Sequence, residues 1–115
     1  MSGDGEYGPP DIVGERSDLA RDLKACSELL AQHGEEHWSS RIDRVLADDG
    51  TLLRERSVRE VMSWFGGMGS FNDILICAHN GHRIEQKHED QINKEVRDLQ
   101  SAIYNSAHSI LRALR

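Results

Sequence analysis

Apolar residues recur along this chain at three- and four-residue intervals, interrupted by polar and glycine-containing breaks, and that spacing predicts helices. The first is expected to begin at Ser17, an N-cap residue with Asp18 in the first turn. Leu19, Leu23, Cys26 and Leu30 then follow at i, i+4, i+7 and i+11, a stripe widened by Leu29, until Gly34 stops it after His33. A second helix starts with Glu35 and Glu36, acids placed where the helix dipole favours them, and carries Trp38, Ile42, Val45 and Leu46 before Asp48-Asp49-Gly50 ends it. Thr51 opens a connection or a short helix with Leu52 and Leu53. Ser57 and Glu60 have the spacing of a capping box, ahead of Val58, Val61, Met62 and Phe65. The run Ile74-Leu75-Ile76-Cys77 is too short for periodicity to separate helix from strand; the pair Ser70 and Asp73 favours a helix, closed by Asn80-Gly81. The last helix is the clearest, with Ile92, Val96, Leu99, Ile103, Ala107, Ile110 and Leu114 on one stripe and Arg112 and Arg115 at its basic end.

These elements predict an all-α protein, a compact bundle of about five helices joined by short loops. Residues 1–16, with Gly3, Gly5, Gly8, Gly14 and Pro9-Pro10, read as a flexible acidic tail too poor in apolar residues to offset its ordering entropy. Residues 17–115 then form a single helical domain, which suits a chain of 115 residues. No apolar run is long enough to predict a transmembrane helix. The first residues have neither the basic nor the apolar region of a signal peptide, so a cytoplasmic protein is expected. Two cysteines, Cys26 and Cys77, exclude a disulfide framework.

The net charge of −6 is unevenly placed. Residues 1–50 hold 12 acids against 5 bases, a net −7, whereas residues 51–115 hold 8 against 9, a net +1. A chain without a basic excess does not predict nucleic-acid binding, which needs cations to displace counterions. The acidic half instead suits a basic protein partner. Glu35, Glu36, Asp48 and Asp49 are the expected partner-binding residues, spread over about 20 Å of the second helix.

The stretch Trp64 to Asp73 reads W-F-G-G-M-G-S-F-N-D, with three glycines in four residues. Its glycines permit positive φ and close backbone approach. Trp64, Gly66, Gly67, Gly69, Ser70, Asn72 and Asp73 form a candidate ligand corner. It lacks the Gly-Lys-Ser/Thr ending of a phosphate loop, and Asp73 places a negative charge where an anion would sit. A tight turn between helices also explains the glycines.

Phe65 to Asp73, followed by Ile74-Leu75, resembles the Phe-Gly-Gly-Met-Gly-Ser-Phe-Asn-Asp segment of an uncharacterised bacterial domain-of-unknown-function family. The resemblance extends upstream to Glu36-His37-Trp38 and loosely downstream to Leu99–Leu114, about residues 18–114 in all, with only the nine-residue motif specific. It implies a small helical cytosolic domain and brings no activity and no catalytic residue.

His33 and His37, and His79 and His82, have spacings that one helix face could present to a metal, but Gly34 and Asn80-Gly81 interrupt the two pairs. No metal and no cofactor is expected. Cys26 on an apolar stripe and Cys77 at the end of an apolar run are positions of inert thiols. With no recognisable nucleophile, base or metal cluster, the sequence leans away from an enzyme. The leading expectation is a protein-interaction module, in its sharpest form a toxin-neutralising immunity protein that binds a basic toxin through its acidic half. The alternatives are a structural or self-associating bundle, and a small-ligand protein or enzyme using the Gly66–Asp73 corner.

Overall fold

The computed structural model describes residues 12–50, 53–66 and 69–114. Among them are four α-helices and no strand: α1 (Ile12–Gln32), α2 (Glu36–Asp49), α3 (Glu55–Ser63) and α4 (Glu89–Ala113). The long passage from α3 to α4 carries three short 3-10 turns, Phe71–Asp73, Ala78–Asn80 and Gln86–His88. The all-helical class is as expected; the helices number four rather than five.

α1 supplies the stripe read from the sequence: Leu19, Leu23, Cys26 and Leu30 are all fully buried. Burial pushes the Cys26 thiol up to about 12, which makes it inert at neutral pH. α1 packs against both α2 and α4, and α3 packs against α4. Ile42, Val45, Val58, Val61, Val96, Ile103 and Ile110 complete the core between them. α1 begins at Ile12, so Ser17 lies inside it and residues 12–16 are helical rather than tail. Glu15 and Arg16 are good helix formers, and each residue added to an existing helix contributes a hydrogen bond. The rest of the expected tail, residues 1–11, lies outside the described residues, as do Thr51 and Leu52.

The end of α1 follows the expected stop. Gly34 has φ +83°, its N–H donates to Ala31 O at 3.1 Å, and the N–H of Glu35 donates to Leu30 O at 2.9 Å. Together these bonds form a Schellman motif, with glycine at the left-handed position. Glu35 is then the N-cap of α2, its carboxylate accepting the Trp38 N–H at 3.4 Å. Ser27 on α1 donates to Ser39 O at 3.2 Å and to Asp43 of α2, which joins the two helices by a polar contact beside the core.

Two expected elements differ. The Ser57–Glu60 capping box does not form, because α3 starts at Glu55 with Arg54 as its N-cap, leaving Ser57 buried within the helix. The carboxylate of Asp49 takes over at that helix start, accepting the Arg54 N–H at 2.9 Å and lying 3.1 Å from the Arg54 Nε. The helix expected over residues 70–77 is also absent. After the turn Phe71–Asp73 the chain runs without helix through Ile74–Cys77, with Leu75 53% exposed and Ile76 fully buried. Asn93 of α4 explains this. Its Oδ1 accepts the Ile76 N–H at 2.8 Å, and its Nδ2 donates to Ile76 O and to Glu89 O, both at 2.8 Å. One buried amide thus satisfies both backbone groups of Ile76, and the segment needs no helix to do so.

Candidate functional site

The glycine corner is built on an aromatic cluster. Trp38, Trp64 and Phe71 meet with ring centroids 5.2–5.8 Å apart, and Phe65 packs edge-on against Phe71 at 5.4 Å. The Arg41 guanidinium lies over the Trp38 ring at 4.6 Å. Trp64, expected at a ligand corner, is instead core, only 2% exposed. The N–H of Phe71 donates to Trp64 O at 2.8 Å and closes the loop, while Gln100 Nε2 of α4 holds Phe71 O at 2.7 Å.

Gly66 and Gly69 have φ of +95° and +74°, the left-handed geometry that glycine adopts without strain. Gly67 lies outside the described residues. Three donors of the described part of the loop are used within it: Gly66 N–H points to Asn72 Oδ1 at 3.4 Å, Gly69 N–H to Asp73 Oδ2 at 2.8 Å, and the Ser70 hydroxyl to Asn72. The Gly66 and Gly69 N–H groups that an anion would seek are therefore already occupied by acceptors of the chain itself.

What the fold does assemble is a groove between the start of α2 and this corner. Glu35, His37, Trp38 and His82 line one part; Gly69, Ser70 and Asp73 line another, with Ile74, Leu75 and Asn80 beside them. Two groups of residues expected to act separately, the acid Glu35 and the corner residues Gly69, Ser70 and Asp73, are thus brought together. In the sequence His82 stands out only by its spacing from His79. Here the Cys77 N–H donates to its Nδ1 at 3.1 Å, so the neutral ring carries its proton on Nε2, which faces Glu35 Oε1 at 3.1 Å. Both ring nitrogens are engaged and neither is free to act as a base. The pair is largely shielded, with side chains 11% and 18% exposed. No lysine or arginine lines the groove.

The remaining partner-binding candidates part company. Glu36 and Asp48 are exposed, with Arg44 exposed on the same helix. Asp49 is not a surface acid: its side chain is fully shielded. The Ser57 hydroxyl, then the Arg54 N–H and the charges of Arg54 and Arg56, hold its carboxyl below the usual range against the opposing effect of desolvation. Asp49 is therefore a structural cap, and the four acids do not form one docking face. Among the described residues no group of three or more His, Cys, Asp or Glu side chains could hold a metal ion, and no helix is long and apolar enough to cross a membrane.

A family described as a domain of unknown function (DUF6966) matches residues 31–85. The matched span includes the Phe65–Asp73 segment and the whole groove, and it is shorter than the resemblance over about residues 18–114. No curated protein and no solved structure matches the chain.

Proposed function

We propose that this protein is a small interaction module that docks a basic segment of a partner protein in the groove between α2 and the glycine corner. The observation that carries this reading is the groove's charge: Glu35 and Asp73 line it and no cation does. Asp73 is the exposed carboxylate of the two, while Glu35 is largely shielded against His82 and adds its charge from behind; an acidic field of this kind attracts lysine and arginine side chains and raises association rates. Leu75, 53% exposed at the same groove, offers an apolar contact beside the charges. The engaged nitrogens of His82 favour binding over acid–base chemistry. A basic toxin of the kind an immunity protein neutralises is one partner with the required chemistry.

The reading is tested by following backbone amide signals during titration with two peptides of equal length, one of lysine and leucine and one of glutamate and leucine. The basic peptide is expected to shift Gly69, Asp73, Leu75 and Asn80 and the acidic one to leave them in place. Equal responses to both, or none to either, contradict the reading.

A further inference from the structure

The opposite side of the glycine corner faces α4 across a second groove, with a volume of about 590 Å³. Phe65, Gly66 and Asn72 form one wall, and Arg97, Ser101 and Tyr104 stand on the other. The last three are at i, i+4 and i+7 of α4, which places them within about 60° of one helix face. Arg97 is the one charged residue in the lining. Its neighbour Asp98 is held by Lys94 at 2.8 Å, and Arg97 makes no ion pair among the described residues. Its planar fork is thus available for a carboxylate or phosphate. Asn72 Oδ1 already accepts the Gly66 N–H and the Ser70 hydroxyl, which leaves its amide N–H groups as the free part of that side chain. The groove therefore offers donors and a positive charge.

Seven residues beyond Arg97, about 10 Å along the helix, Tyr104 is 39% exposed. Its ring is positioned from two sides, edge-on to Phe65 at 5.2 Å and stacked on His108 at 5.8 Å with only 8° between the planes. An aromatic surface held in place loses little freedom when a second ring packs against it.

We propose that this groove binds a small planar aromatic anion of the size and chemistry of a nucleoside monophosphate, with its ring against Tyr104 and Phe65 and its anionic group on Arg97. The site is distinct from the acidic groove and opposite to it in sign, so it does not depend on the protein-docking reading. Ser101 and the Asn72 amide supply hydrogen bonds between the two ends.

Calorimetric titration of the full chain with adenosine monophosphate, adenosine and inorganic phosphate tests the proposal. Adenosine monophosphate is expected to bind at least about tenfold more tightly than either fragment, since two linked contacts act together. Arg97→Gln should reduce its affinity to that of adenosine, and Tyr104→Leu should weaken both nucleoside ligands. Arg97 is exposed, so Arg97→Gln should keep the wild-type melting midpoint and remains decisive even where Tyr104→Leu loosens the packing on Phe65. No saturable binding of adenosine monophosphate at millimolar concentration overturns the proposal. Binding no tighter than that of phosphate, or indifferent to Arg97→Gln, overturns it equally.

Discussion

Arg83 and His33 hold each other by two hydrogen bonds: the Arg83 N–H donates to His33 O at 2.9 Å, and His33 Nδ1 donates to Arg83 O at 2.7 Å. The Arg83 guanidinium reaches two residues further back and donates to Ala31 O at 3.1 Å, a cation at the carbonyl end of α1. The segment from α2 to the turn at Ala78–Asn80 is thus a loop closed at its base. The family match over residues 31–85 begins and ends at this closure.

Gly34 sits inside the closure, and replacing it tests the joint. A Cβ there meets Arg83 Nη1 at 3.2 Å, and the φ of +83° is strained for any other residue. Gly34→Ala is expected to destabilise the protein by about 1–2 kcal/mol and lower the melting midpoint by several degrees. An unchanged midpoint would contradict the Schellman geometry.

Asn93 carries the segment that was expected to be helical. Asn93→Leu leaves the N–H and C=O of buried Ile76 without partners and is expected to cost about 3 kcal/mol or more. Denaturant unfolding gives the loss, and amide exchange locates it, with Ile76 losing protection more than the centre of α1. Wild-type exchange at Ile76 in this variant would mean that the amide does not hold the segment.

The glycine corner separates structural from ligand roles. A Cβ at Gly66 or Gly69 meets nothing within 4 Å, so the expected effect of Gly66→Ala or Gly69→Ala is the backbone strain alone, about 1 kcal/mol each. Thermal melts of the two variants check this; two unshifted midpoints would remove the structural reason for these glycines.

Asp49 predicts a pH dependence. Its carboxyl titrates below the unfolded value, so the folded state gains stability from its ionised form above about pH 4 and loses it as the pH falls through the lower, folded value. Wild type should be more stable than Asp49→Asn at neutral pH, and the gap should close in acid. A gap that is constant with pH, measured by denaturant midpoints, would contradict the buried cap.

These cases show what the sequence discloses. The stripes on α1 and α4 and the stop at Gly34 were legible because they depend on residues three to five positions apart. The path of Ile74–Cys77 was not, since it is decided by Asn93, seventeen residues beyond Ile76. Ser57 and Glu60 had the right spacing for a cap, but Asp49, from the preceding helix, occupies the position instead. The same contact hides Asp49 from any partner, a fact no local pattern carries. Glu35 stands out in the sequence as an acid at a helix start and Asp73 as part of the glycine corner, and only the folded chain places them in one groove.

The acidity of that groove is the central claim, and Asp73→Asn probes it without removing the acceptor for the Gly69 N–H. The decisive measurement is the affinity of the lysine–leucine peptide for wild type and for Asp73→Asn, each at low and high salt. Exposed charges are screened over about 8 Å at physiological ionic strength, so wild-type affinity should fall several-fold as salt rises. Asp73→Asn should bind more weakly at low salt and respond less to added salt. Affinity indifferent to both the salt and the substitution would contradict the claim that this groove recognises a basic partner.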